Sequence, residues 1–255
     1  MQQPTVLYIG AHDVDFMIRA GGTMMNYART GSRVVAVSLS DGERQESERL
    51  WRDNPGIALE EVAARKRAEA EKCAELVGCE FTCLGWPDAP LTFGRERLLQ
   101  LARIIQDVRP QILITHWPHE VTNWDHLDTG NAVQRAAHHA SSAGTTTTTG
   151  LGAWVVPATY FCEPWFPFPD RNGFHPNVWV DITDVYETKL EGLRTAWGHG
   201  RLDITYPLCA EFRGMQANLQ AGDPSIRFAE AFVTETGWVG KRLPFDGSAG
   251  AGRTG

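Results

Sequence analysis

No stretch of this sequence approaches the ~18 consecutive apolar residues of a membrane span, so no transmembrane helix is expected. Its opening residues, MQQPTVLYIGAH, lack a basic segment, a long apolar run and a small-residue cleavage site. No secretory leader is therefore expected, and the default compartment is the cytoplasm. The five cysteines (Cys73, Cys79, Cys83, Cys162, Cys209) form no CxxC pair and are odd in number, which argues against a disulfide framework. Positive charge is in deficit: 24 Lys+Arg against 31 Asp+Glu leave a net charge of -7, without long runs of one sign. Neither nucleic acid, which needs a basic face, nor a membrane is expected as a partner. An anionic small molecule stays open, because a few arginines can cluster locally in an acidic protein. What is present is core material, with 42% apolar residues and nine Trp among 255 residues. At roughly 100–200 residues per domain, this allows one large domain or two small ones. Eight histidines also stand out.

Val6-Leu7-Tyr8-Ile9-Gly10 and the run from Arg33 to Leu39 are short, nearly continuous apolar segments, as in strands buried on both faces. Further strands are expected at Glu80–Leu84, Gln111–Thr115, Thr159–Cys162 and Val178–Ile182. Helices are expected at Phe16–Arg29 (interrupted at Gly21-Gly22), Leu59–Val77, Arg95–Val108, Thr129–Ala140 and Val185–Trp197. Strands alternating with helices of this length imply crossover connections. The expected fold is therefore α/β: a Rossmann-like, doubly wound, mostly parallel sheet with helices on both faces. One domain is expected over 1–245, with a low-complexity loop at 141–152 and a Gly-rich, disordered tail at 246–255.

In such sheets ligands sit beyond the carboxyl ends of the strands. After the first strand comes Ala11-His12-Asp13-Val14-Asp15, and after the fourth His116-Trp117-Pro118-His119-Glu120-Val121-Thr122-Asn123-Trp124-Asp125-His126. Imidazole and carboxylate are ordinary zinc ligands, and His12, Asp15 and one later histidine would make three with an open fourth position. Asp125 beside His126 suits an acid that orients a ligand. Either motif alone arises by chance; their shared position at strand ends is what points to a metal. His138 and His139, in a helix, read as surface or packing residues. The loop Ser40–Ser47 is either a solvated turn or a source of proton-transferring carboxylates, Glu43 and Glu46. Arg19 is either a packing-edge cation or a carboxylate clamp.

In these motifs and their order the chain resembles the PIG-L/LmbE-like zinc proteins, mostly N-deacetylases of amino sugars, over roughly residues 5 to 235. Their AHPDDE motif falls on Ala11-His12-Asp13-Val14-Asp15-Phe16, and their HPDH on Asn123-Trp124-Asp125-His126. The resemblance implies His12, Asp15 and His126 as metal ligands, for Zn2+ or another divalent ion. It also exposes two departures. The deacetylase general base falls on Val14, which cannot take a proton, and the histidine that assists at the oxyanion falls on Asn123. The Arg of the family's helix, three residues ahead of Glu69, falls on Lys66.

One branch, the zinc-dependent 4-oxalomesaconate hydratases of aromatic-compound breakdown, is similar in both places. It shares the RAGG at Arg19–Gly22, the GERxES loop at Gly42–Ser47, Phe161-Cys162-Glu163-Pro164, Arg213-Gly214 and Glu230-Ala231-Phe232. The resemblance thus implies a hydratase adding water to the C=C bond of an unsaturated oxo-acid. Glu46, then Glu43, then His116 are the expected proton-transfer groups, with Asp125 supporting. Arg19, Arg44, Asn123 and Arg213 are expected to bind a di- or tricarboxylic acid. An amide hydrolase with a relocated base and a metal-binding module without catalysis are the other readings. The aromatic segment from Trp165 to Phe174 fits a substrate lid or a contact in a homo-oligomer.

Overall fold

A computed structural model describes residues 3–196, 198 and 202–237. Strand β1 (Val6–Gly10) is buried along its whole length and is an interior strand of the seven-stranded sheet that the described residues form. The chain continues through α1 (Asp15–Arg29), β2 (Val34–Ser38), α2 (Glu48–Asp53), α3 (Leu59–Val77), β3 (Glu80–Cys83), α4 (Arg95–Val108) and β4 (Ile112–His116). Then follow α5 (Trp124–Ser141), α6 (Thr146–Thr149), β5 (Ala158–Cys162), β6 (Val178–Asp181), α7 (Tyr186–Thr195), α8 (Leu202–Ala221) and β7 (Ala229–Val233).

The sheet order is β3-β2-β1-β4-β5-β7-β6. The first five strands are parallel, and β7 runs antiparallel to both β5 and β6. From β1 the chain first builds outwards to β2 and β3, then crosses back to place β4 on the other side of β1. That reversal opens a crevice between the carboxyl ends of β1 and β4, the usual ligand position in an open α/β sheet. It brings the segments after Gly10 and after His116 together.

Both faces of the sheet are covered. Phe16, Met17, Met24, Cys73, Tyr186 and Leu193 fill the core under α1, α3 and α7. On the opposite face, Leu98, Leu101 and Ile105 of α4 meet Val133 and Ala136 of α5 over Leu7 and Ile9. Among the described residues, no helix is long and apolar enough to cross a membrane.

Five features differ from the sequence expectation, the first being the short helix α2, which was not expected. Helix α1 runs unbroken through Gly21-Gly22. Glycine is needed there for approach, since a Cβ on Gly22 would sit 2.6 Å from Ile182 Cγ2. Beside it the Glu230 carboxylate accepts from the backbone N–H of Gly22 and Thr23, each at 2.8 Å, and ion-pairs with Lys189. Helix α5 starts five residues earlier than expected, because Asn123 caps it. The 141–152 segment contains the single turn α6 where a loop was expected. Helix α8 and strand β7 were not anticipated: α8 carries Pro207 inside it and apolar residues on its outer as well as its inner side, which erases the helical period. The end of the expected Val185–Trp197 helix at Trp197 and the tail at 246–255 lie outside the described residues.

Candidate metal centre and active-site cavity

The turn after β1 is closed by the His12 backbone N–H, which donates to Asp15 Oδ2 at 2.8 Å. Across the crevice, Asn123 Oδ1 accepts from the backbone N–H of Asp125 (3.1 Å) and His126 (3.3 Å), so α5 begins with His126 in its first turn. These two turns aim three side chains at one point. His12 Nδ1 lies 3.2 Å from His126 Nε2 and 3.3 Å from Asp15 Oδ2, and the third side of the triangle is 3.5 Å. Such edges match three corners of a tetrahedron around an ion with ligand distances of about 2.0–2.1 Å.

The outer nitrogens of both imidazoles are held by carboxylates. His12 Nε2 is 3.4 Å from Asp125 Oδ2, and His126 Nδ1 is 3.2 Å from Glu120 Oε2. Asp125 is itself fixed by the N–H groups of Ala89 and Leu91, at 2.9 and 2.8 Å. Glu120 accepts from Thr122 Oγ1 (3.1 Å) and from the Trp165 backbone N–H (3.2 Å). Carboxylates behind ligand histidines fix the tautomer, leaving His12 Nδ1 and His126 Nε2 for the ion. The donor set and its spacing therefore fit a divalent metal. Two further groups, His116-Glu120-His126 and His12-Asp88-Asp125, are also close enough to hold one. Only the first group presents two of its members, Asp15 and His126, to the neighbouring cavity, so it is preferred.

Without an ion, these buried groups shift strongly. Burial pushes the His126 imidazolium down, but Asp15 and Glu120 outweigh it and raise its pKa to about 9. Burial pushes Glu120 up, yet His126 and Arg19 hold it at about 2. Asp15 lies well below the usual carboxylate range, since His126 and His116 outweigh its burial. An ion can take His126 Nε2 only when its proton leaves. Below pH 9 the apparent metal affinity should thus rise about tenfold per pH unit from this group alone. Competition titrations with a chelator at pH 6, 7 and 8 check this; a flat profile would contradict the assigned proton.

A cavity of about 390 Å3 opens onto the triangle, lined by Asp15, Arg19, Glu46, Asn123, His126 and Tyr206 among others. Glu46 Oε1 accepts from Asn123 Nδ2 at 2.9 Å and stands 3.7 Å from His12 Nδ1. Arg19 is buried, its Nη1 donating to the Glu163 carbonyl at 2.9 Å, while its Nε has no hydrogen-bond partner. Its side chain reaches the cavity over the Tyr206 ring, 5.5 Å from the centroid.

The other expected residues stand back from the cavity. Glu43 and Arg44 pair with each other and, through Arg44, with Asp88. Neither side chain lines the cavity, where proton transfer from Glu43 and substrate binding by Arg44 were expected. His116 sits behind Asp15, its Nε2 3.2 Å from Asp15 Oδ2 and accepting from the Ala11 N–H at 3.0 Å. Burial, then His126, lowers its pKa to about 4, so near neutral pH it stays uncharged behind Asp15 and does not line the cavity. Asp125 likewise acts on His12 and not on the cavity. Arg213 forks onto both Glu163 oxygens and does not reach the cavity; its grip bears on the residue whose carbonyl holds Arg19.

Two features escaped the sequence reading. Glu120 lay in plain sight, six residues before His126, but nothing in the spacing marked it as the partner of that imidazole. Lys66 is fully buried and pairs with Asp13 at 3.1 Å and Glu69 at 3.3 Å, beside the metal-site turn. An acid next to His12 and a lysine on α3 were the available signals.

A family profile described as GlcNAc-PI de-N-acetylase (PIG-L) matches residues 7–137, just over half of the chain. The chain belongs to the PIG-L family. Within it, the 4-oxalmesaconate hydratase of Pseudomonas putida is 30% identical over 225 residues, covering 88% of this chain and 85% of that protein. The diacetylchitobiose deacetylase of Thermococcus kodakarensis is 27% identical over 196 residues, covering 74% of this chain and 68% of that protein. Among solved structures, GalB, the 4-carboxy-2-hydroxymuconate hydratase of Pseudomonas putida, superposes with a TM-score of 0.86 at 29% identity. That match covers 94% of this chain and all of GalB. This PIG-L chain therefore has both hydratases and deacetylases among its relatives.

Proposed function

We propose that this protein is a metal-dependent hydratase that adds water to a C=C bond of an unsaturated oxo-carboxylic acid of the 4-oxalomesaconate type. The observation that carries the reading is the pairing of Glu46 with Asn123 beside the His12-Asp15-His126 triangle, while Val14 is buried in the core. The base expected of a deacetylase is thus replaced by a hydrocarbon side chain, and a carboxylate from a different loop stands at the cavity.

When bound by His12, Asp15 and His126, a divalent ion, zinc in this reading, supplies Lewis acidity at the inner end of the cavity. Everything else comes from the chain. Glu46 takes a proton from the water whose oxygen bonds to the β-carbon of the conjugated acid. A proton returned to the α-carbon completes the addition of H and OH across the double bond. Asn123 fixes the Glu46 carboxylate through its amide N–H. Arg19, a buried cation with an unused N–H, holds a substrate carboxylate; a guanidinium suits that partner because it can present two parallel donors. One localised cation explains how a chain of net charge -7 takes a polyanion. Such an enzyme would serve the breakdown of aromatic compounds in the cytoplasm.

The deciding experiment incubates the zinc-loaded protein with 4-oxalomesaconate and, separately, with N-acetyl amino sugars. Loss of the conjugated-diene absorbance without acetate release is the expected result. Acetate release with no change in the diene would replace the hydratase reading by that of an amide hydrolase with Glu46 as relocated base.

A further inference from the structure

We propose that two copies of this chain pair through the outer face of α8. Of the large apolar side chains that stand exposed, five lie on this one helix: Ile204, Leu208, Phe212, Met215 and Leu219, from 40% to 74% exposed. At 100° per residue they fall within an arc of roughly 80°, with Leu208 near its centre. The opposite side of α8 is already used. Tyr206, Cys209, Ala210, Arg213 and Ala217 face inwards, and Leu202 and Tyr206 form part of the cavity wall. The helix is therefore apolar on two sides, and among the described residues only one of them has a partner.

The stripe continues beyond the helix. Phe212 meets the Phe166 ring at 6.5 Å between centroids, and the neighbouring Trp165 packs on Phe168 at 5.8 Å, both rings partly exposed. With Trp165 and Phe168, the exposed apolar area is on the order of 700–800 Å2, above the ~300–600 Å2 of the largest patch on an ordinary monomer and close to the ~800 Å2 that each partner gives to a standard interface.

Charge selects the occupant. The exposed charges on α8 are Asp203 and Glu211, both acidic, and among the described residues of the helix no lysine or arginine stands exposed. A helix that lies on an anionic membrane needs a basic rim, so a lipid surface does not fit. A two-fold axis through the middle of the stripe sets the face antiparallel against itself, so that leucine and methionine meet leucine and methionine. Glu211, about 60° from the centre of the stripe, stays at the rim in water. A self-complementary face of this kind is what a two-fold homodimer requires. The pairing does not depend on the proposed reaction.

The test is the molar mass of the full-length chain in solution, by sedimentation or light scattering at micromolar concentration. The wild-type protein should run at about twice 28.3 kDa or a larger even multiple. The double substitution Leu208→Glu, Met215→Glu should halve that mass with unchanged far-UV circular dichroism. Both side chains already meet water in the single chain, so the change costs little stability. Val155→Glu, at a residue 70% exposed elsewhere on the surface, should keep the wild-type mass. A wild-type chain that stays at 28.3 kDa, free or bound to neutral phosphatidylcholine vesicles, overturns the pairing. So does a double variant that keeps the wild-type mass.

Discussion

Replacing Glu46 by Gln leaves the protein folded and metal-loaded but lowers kcat for hydration by about 100- to 10,000-fold, the range lost with a positioned general base. Gln keeps the oxygen that accepts from Asn123 Nδ2 and nearly the same volume, so the cavity walls stay in place. Only the capacity to take a proton from water disappears. Metal content is unaffected, because His12, Asp15 and His126 form the triangle without Glu46. The effect falls on kcat more than on KM, since the carboxylate acts on the attacking water and not on the substrate's acid groups. Steady-state kinetics beside elemental analysis read both quantities. A Gln variant with wild-type kcat would move the base elsewhere.

The second large effect is on stability. Lys66→Met should cost about 3–5 kcal/mol, because it removes a cationic partner from a carboxylate buried beside the metal-site turn. In a chain of this size each kcal/mol moves the melting midpoint by about 2–4 °C, so a fall of roughly 6–20 °C is expected. Asp13 and Lys66 are both fully buried, and Gly42 lies so close that a Cβ there would approach Asp13 Oδ1 at 3.2 Å, leaving little room for water to replace the ammonium. Pairing Lys66→Met with Asp13→Leu removes both charges together and should recover most of the loss. Calorimetry of the three proteins decides it: a single variant that melts like wild type would mean that Asp13 finds another partner.

The parts of the site that could be read from the sequence are those set by local chain geometry. Helices α3 and α4 begin and end where helix formers and their flanking residues place them, and Gly78 closes α3 at φ 76° in the left-handed region. That His12, Asp15 and a later histidine would meet was legible because strand ends in a doubly wound sheet converge on its crevice; the resemblance to the family singled out His126. Glu120, Lys66 and Asp13 were not, since their meaning lies in which distant segment packs against them. The pairing of Arg213 with Glu163 was hidden for the same reason: a cation near the cavity and a cation in it have the same letter. Helix α8 was hidden because its outward stripe is as apolar as its inward one. A surface kept for a partner blurs the pattern by which a helix is recognised.

The order of the strands has a bearing on how the chain is made. Among the described residues, strand β7 is the last in sequence, yet it lies between β5 and β6 and is the sole partner of β6 in the sheet. Until residues 229–233 leave the ribosome, β5 presents an open edge and β6 has nothing to pair with. The same late segment carries Glu230, which ties Lys189 to the middle of α1, the helix bearing Asp15 and Arg19. A nascent chain therefore cannot settle its reactive crevice piece by piece. It must wait with unpaired strand edges exposed, the condition in which growing polypeptides are most prone to aggregate and most in need of a chaperone.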